Sequence, residues 1–356
     1  MTMLNAPALT SWYDTHKRDL PWRHTTDPYR IWLSEIILQQ TRVDQGMKYY
    51  HAFVDRFPNV QALAAADEQL VLRTWQGLGY YSRARNLHAA AQHIAENLNG
   101  AFPNTYPDII QLKGVGPYTA AAIASFAFGE ATPVVDGNVQ RVISRLRALD
   151  LEVDTRAGHQ AILDVLTPAI GTVDPATFNQ AIMELGATVC TPKKPACVTC
   201  PLHANCTAGP AGTWAEFPKK KGKTNVVDRW LDCFLFASET HVLLRKRDAS
   251  GIWKNMYDFP TAEFDAAPTL EATQTAFAEL FPAMNGDQLA AIAKTKHVLS
   301  HRRLHVTLYR VHTPEPAAAH GDDLHWIART QLDDYPLPRL VERLLENWRS
   351  EPGLFG

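Results

Sequence analysis

The sequence predicts a multidomain chain, with an all-α region first and a smaller α+β domain after it. Three observations predict this. Apolar residues recur at helical spacing from about residue 29 to residue 205, strand signals are nearly absent before residue 225, and β-like segments follow. A length of 356 residues is also long for a single core.

The helical runs come in a clear order. Tyr29–Gln40 carries Ile31, Trp32, Ile36 and Leu38 among its apolar positions. Asp67–Trp75, Arg83–Leu98, Tyr118–Phe128, Val139–Leu149 and Pro175–Val189 follow. They are punctuated by Phe57-Pro58-Asn59, Gly77-Leu78-Gly79, Gly100, Gly114-Val115-Gly116 and Asp136-Gly137. Ala208–Asn225 has no periodicity and contains Lys219-Lys220-Lys221-Gly222-Lys223, so it reads as a linker. Beyond it, Trp230–Ala237, His241–Arg245, His305–Val311 and Leu324–Ile327 read as strands, and Leu270–Phe281 reads as a helix. There is no internal repeat.

Composition is that of an ordinary soluble protein, 46% hydrophobic and 20% charged. The net charge is −2, so any nucleic-acid contact has to come from local basic patches rather than a global field. The amino terminus shows no secretory or transit signal, and no stretch reaches the roughly 18 apolar residues a membrane helix needs. A cytoplasmic protein without a membrane partner is expected.

Four of the five cysteines follow the spacing Cys190-x6-Cys197-x2-Cys200-x5-Cys206. Thiolates this close in sequence can converge on one centre, which points to metal binding in a reducing compartment. Spacing alone leaves zinc and an iron–sulfur cluster open, although zinc usually takes two C-x2-C knuckles and only one is present. Cys233 stands alone in a strand-like segment and reads as a small buried hydrophobe.

Leu112-Lys113-Gly114-Val115-Gly116-Pro117-Tyr118-Thr119 joins two helical segments. Such a turn is either a plain helix connection or a phosphate seat made from N–H groups at a helix start. Glu35 lies within Ile31-Trp32-Leu33-Ser34-Glu35-Ile36-Ile37-Leu38, either on a solvated edge or desolvated with a raised pKa. Asp136 precedes a helix, where it can cap and where the helix end favours its ionised form. A neutral acid paired with a fixed carboxylate is what glycosidic bond cleavage requires.

Together these segments resemble the helix-hairpin-helix DNA glycosylases, and among them the MutY-type adenine glycosylases. The resemblance runs from Leu20-Pro21-Trp22-Arg23 to the C-terminal domain. Its carriers, in order, are Trp32–Thr41, Gly77–Arg85, Gly114–Thr119, Val135–Val139, Phe178-Asn179-Gln180 and the cysteine spacing. It implies a [4Fe–4S] cluster on Cys190, Cys197, Cys200 and Cys206. It also implies a catalytic region over residues 1–207, with a six-helix barrel over about 24–130 and a cluster module from 1–23 plus 131–207. A linker at 208–225 and a Nudix-like lesion-reading domain at 226–349 complete the layout.

The resemblance implies roles as well. Glu35 protonates adenine N7, Asp136 stabilises the sugar cation, and Tyr118 and Asn138 support them. Arg23 and Gln180 line the adenine pocket. Gln40 and Tyr80 are wedges into the duplex, with Thr41 and Leu78 beside 8-oxoguanine. Trp22, Gly79, Lys113, Gly114, Val115 and Gly116 are further DNA contacts, and Leu299, Ser300 and His301 read the lesion. Relatives of the endonuclease III type carry a catalytic lysine where Tyr118 stands, so a monofunctional enzyme is implied. Lys113 replaces a usual proline, Leu299 replaces a usual phenylalanine, and the glutamate-rich Nudix box is missing. The implied partner is double-stranded DNA with A:8-oxoguanine or A:G, alongside replication and repair proteins, for a monomeric enzyme. The rivals are an endonuclease III-like pyrimidine glycosylase/lyase and a non-catalytic, metal-stabilised DNA-binding protein.

Overall fold

The computed structural model describes residues 4–222, 226–248, 251–282, 284, 289–299, 301–311 and 323–350. They form two units, one from Met1–Ala65 with Asn86–Gly222, the other from Ala66–Arg85 with Lys223–Gly356. As expected, helices come first and mixed sheets after. None of the described helices is long and apolar enough to cross a membrane.

The first helices are α1 (Ala6–His16), α2 (Pro28–Ile37), α3 (Val43–Arg56) and α4 (Val60–Ala64). Next come α5 (Glu68–Thr74), α6 (Ser82–Asn97), α7 (Tyr106–Ile109) and α8 (Pro117–Phe128), then α9 (Gly137–Arg147), α10 (Arg156–Ile170) and α11 (Pro175–Thr188). Three of these place the site. Helix α2 starts where Asp27 accepts from the Tyr29 N–H at 2.9 Å and Pro28 presets the first turn. Every residue from Ile31 to Ile37 is buried, so the helix carries Glu35 into the interior. Helix α8 is alanine-rich and buried from Thr119 to Ser125, and α2 packs against it. Small side chains let two helix backbones approach closely. Helix α9 begins at its cap, Asp136, and shares a core with α1, α10 and α11 through Leu9, Val142, Ile162, Phe178 and Ile182.

The linker read at 208–225 is docked over its first part. The Thr207 and Ala208 N–H groups donate to the Leu146 and Arg145 carbonyls, and Val153 N–H donates to Lys219. Arg145, 3% exposed, donates to the Trp214 carbonyl at 2.9 Å and lies over the Trp214 ring. An irregular segment held by tertiary hydrogen bonds has no period to detect, which is why it resembles a linker.

In the second unit, β1 (Val227–Phe236), β2 (His241–Lys246), β3 (Tyr257–Asp258) and β4 (Thr261–Phe264) precede α12 (Leu270–Leu280). Then come β5 (Ala290–Val298), β6 (Arg302–Val311), β7 (Leu324–Ala328) and α13 (Arg339–Ser350). One sheet runs β4-β1-β6-β5 and the other β3-β2-β7, and the β1–β6 pair is parallel. Phe234, Phe236, Leu243, Phe277 and Val311 form the core beneath α12. Sequence patterning misses β5, whose residues are all exposed or half-exposed and show no apolar alternation. Pairing with β6 makes it a strand, and Leu299 N–H closes the hairpin on the Arg302 carbonyl. Leu299 and His301 therefore sit at the hairpin tip, while Ser300 lies outside the described residues.

Residues 66–85 join this unit through polar contacts. Asn255 Nδ2 donates to Glu68 at 2.6 Å, Gln69 donates to the Asn255 carbonyl, and Arg73 pairs with Asp334 at 2.7 Å. The buried Tyr81 hydroxyl donates to the Leu337 carbonyl at 3.2 Å.

Candidate active site

Packing of α2 on α8 brings Glu35 to Tyr118, whose hydroxyl donates to Glu35 Oε2 at 2.5 Å. Glu35 is 6% exposed. Burial pushes its carboxyl up to about 7 and Asp136 adds to the rise, while Tyr118 and Arg23 oppose it. Of the two readings open for Glu35, the desolvated one holds. Near neutral pH it is a proton donor that still ionises. Burial and the neighbouring carboxylates push Tyr118 well above its usual range, so the phenol stays protonated.

Asp136 caps α9, its Oδ1 accepting from the Val139 N–H at 2.7 Å, and its Oδ2 accepts from Asn138 Nδ2 at 2.7 Å. Burial nevertheless raises its pKa, against those donors and the charge of Arg141. The helix end alone does not set its charge, because the half-buried group is also partly desolvated. Behind it, Arg141 donates to Asn138 Oδ1 at 2.8 Å and to the Gly186 and Cys190 carbonyls at 2.7 Å. The fully buried Asn179 side chain accepts from Val134 N–H and donates to Ser125 and Thr132, pinning the strand-like approach to Asp136.

Arg23 and Gln180 meet through two residues that sequence reading does not reach. Tyr13 donates to Gln180 Oε1 at 2.5 Å and lies under the Arg23 guanidinium. Fully buried Glu184 accepts from Arg23 at 2.7 Å and from both Arg18 nitrogens at 2.8 Å. Those guanidinium bonds hold the Glu184 carboxyl down at about 2, against the rise that burial alone would cause. Its sequence signal matches that of Glu35, a lone carboxylate in the apolar run Ala181-Ile182-Met183-Glu184-Leu185. Arg141 carries no comparable signal, whereas Asn179 lies inside the Phe178-Asn179-Gln180 motif.

Glu184→Gln leaves Arg23, with a side chain only 12% exposed, without its charge partner. The expected destabilisation at pH 7 is about 3 kcal/mol. Because the folded pKa is depressed, Glu184 stabilises above about pH 4.5 and progressively less as pH falls towards 2. Urea unfolding of wild type and variant at pH 7 and pH 3 checks this, and the gap should shrink at pH 3.

The hairpin turn is real, and Gly114 is required in it. Its φ is +80°, and an added Cβ would lie 2.5 Å from the Asn86 side chain. Gly116 is extended and open, so its role is at the helix start, where no side chain caps the first turn of α8. Val115 is buried, while Lys113 and Gly114 are exposed. Trp22 packs edge-on against Tyr50. Gln40 is exposed at φ +56°, followed by half-buried Thr41. In the second unit Leu78 is buried, Gly79 has φ +70°, and Tyr80 is 46% exposed.

Cys190, Cys197, Cys200 and Cys206 are free thiols lining one small cavity of about 30 Å³, partly open to solvent. Arg145 Nη1 and the Gly209 N–H lie 3.5 and 3.4 Å from the sulfurs of Cys190 and Cys206. Among the described residues no three His, Cys, Asp or Glu side chains converge as for a single ion. Cys233 is buried in the second unit, beside Thr261.

Residues 33–166 match the family described as HhH-GPD superfamily base excision DNA repair protein, and residues 233–347 match the NUDIX domain. An adenine DNA glycosylase of Buchnera aphidicola subsp. Acyrthosiphon pisum is 30% identical over 96% of both chains. One from Buchnera aphidicola subsp. Baizongia pistaciae is 35% identical over 73% of this chain and 74% of its own. The human adenine DNA glycosylase is 45% identical over 56% of this chain, an alignment spanning 38% of the human protein. A thermostable thymine-DNA glycosylase of known structure matches 58% of this chain and 95% of its own, with 28% identity and a TM-score of 0.54.

Proposed function

The chain belongs to the adenine DNA glycosylases of the HhH-GPD superfamily, and on that premise we propose that it hydrolyses adenine from duplex DNA opposite 8-oxoguanine or guanine. The observation that carries this reading is the pair of unlike carboxylates. Glu35 is a buried acid with a pKa of about 7, and Asp136 is a carboxylate met by three donors from its own helix start.

The target nucleotide leaves the stack, since its glycosidic bond is out of reach inside the duplex. Glu35 donates its proton to adenine N7, so the base departs neutral as the N-glycosidic electrons move onto it. Positive charge develops on the sugar, and the fixed Asp136 carboxylate stabilises it. Glu35, now a carboxylate, takes a proton from the water that attacks C1′ and returns to its starting state. Tyr118 orients Glu35 and cannot form a Schiff base, so the strand stays intact. Arg23 and Gln180, braced by Glu184 and Tyr13, hold the adenine edge. Backbone N–H groups after Gly116, with Lys113 nearby, seat a phosphate. Gln40 and Tyr80 enter the base stack, Thr41 and Leu78 flank the lesion, and Leu299, Ser300 and His301 read it. Single-turnover assays test the reading. Alkali-dependent cleavage at A opposite 8-oxoguanine is expected, whereas direct nicking of oxidised-pyrimidine DNA would sink it.

Within the same reading, Cys190, Cys197, Cys200 and Cys206 hold a [4Fe–4S] cluster. The donor set fits: four thiols surround one cavity and two N–H donors face their sulfurs. When bound, such a cluster ties the loop after α11 to α9 rather than acting on the base. Purified protein is expected to contain iron and acid-labile sulfide in equal amounts. Stoichiometric zinc without sulfide would overturn this assignment.

A further inference from the structure

Tyr80 combines two unfavourable features. Its ring is 46% exposed and its backbone has φ +48°, in the left-handed region that residues with a Cβ seldom enter. Gly77 and Gly79, at φ +95° and +70°, bend the same short turn, so little in the local chain would hold one conformation. The surroundings supply what the chain does not. The Trp75 indole N–H donates to the Gly79 carbonyl at 2.9 Å. Arg83 Nη2 lies 3.3 Å from that carbonyl oxygen and 3.4 Å from that of Leu78. The Arg83 guanidinium sits 4.9 Å from the Trp75 ring centroid and 5.7 Å from that of Tyr80. Arg83 N–H also donates to the Tyr80 carbonyl at 2.9 Å, which starts α6 directly after the turn.

From this geometry we propose that Arg83 is a positioning residue for the Tyr80 wedge. Its guanidinium faces both rings and caps the turn's carbonyls, presetting the tyrosine to enter the base stack. The proposal rests on Tyr80 entering the duplex as described above. Burying a guanidinium is unfavourable, and burial lowers the Arg83 pKa to about 10. Ring faces and carbonyl oxygens offset that cost, and a planar fork can engage both at once. A wedge held in place beforehand loses less conformational freedom on insertion. Lysine keeps the charge but presents a point rather than a plane, so it cannot bridge the two rings and the carbonyls together.

The test uses the full chain with Arg83→Lys, Tyr80→Ala and the double variant. Fluorescence of 2-aminopurine opposite 8-oxoguanine reports extrusion. Single-turnover adenine release is measured on adenine opposite 8-oxoguanine and on adenine opposite an abasic site, which starts unpaired. Arg83→Lys is expected to lower extrusion and release about five- to tenfold on the paired duplex, the size of one lost cation–π contact. Release of the unpaired adenine should stay within about twofold, and the double variant should be no worse than Tyr80→Ala. Equal losses on both duplexes, or fully additive effects, would overturn the proposal. If Arg83→Lys does not fold, Trp75→Phe keeps the ring, removes the N–H from Gly79, and should give a smaller loss of the same pattern. If the wild type releases no adenine, the proposed reaction fails, while the 2-aminopurine signal still decides the role of Arg83.

Discussion

Glu35→Gln is expected to bind an A:8-oxoguanine duplex as tightly as wild type and to release adenine about 10³-fold more slowly. Glutamine keeps the size of the side chain and an oxygen that accepts from Tyr118, but it has no proton to give. The variant should also be more stable. The folded Glu35 carboxyl is raised from 4.5 to about 7, so the folded state binds more protons than the unfolded chain between those values. Stability from this group therefore falls as pH rises from about 4.5 to 7. Removing the ionisation should relieve roughly 3 kcal/mol above pH 7, at about 1.36 kcal/mol per pKa unit. Loss of activity with a gain in melting temperature marks a group strained for function. The wild-type rate should decline above about pH 7 as the acid form is lost. Near-wild-type excision by the variant, or a rate still rising at pH 9, would remove Glu35 from its role.

Asp136→Asn tests the other half of the pair. Asparagine caps a helix about as well as aspartate, so α9 should keep its start and the variant should fold. The Val139 N–H retains an acceptor, while the negative charge facing the sugar disappears. Single-turnover release should drop about 10²- to 10³-fold, the usual size for one lost electrostatic partner of a transition state. Asp136 also helps to raise the Glu35 pKa, so its neutralisation should move the high-pH limb of the residual activity downward. A structural cap alone would leave that limb in place. An unchanged pH profile with a modest rate loss would therefore reduce Asp136 to its capping role.

Residues that work through local pattern were legible in the chain. The helical runs, the Gly114 turn and the clustered thiols each have a period, a punctuating residue or a spacing. Residues that work through tertiary neighbours were not. Arg141 and Arg145 look like ordinary helix residues, yet each bonds to groups far along the chain. Strand β5 shows the same limit, because its β character comes from pairing with β6.

By itself, then, the sequence determined the order of helices and sheets, the family and the residue types offered for chemistry. Helix period, turn residues and motif spacing are properties of neighbouring positions. Only the tertiary structure decided how those residues behave. A carboxylate in an apolar helix can face water or lie buried, and the packing of α2 on α8 buries Glu35 and raises its pKa. The same kind of carboxylate at Glu184 goes the other way, because folding sets two guanidinium groups against it. Desolvation and charge pairing depend on distance in space, and distance along the chain does not encode it.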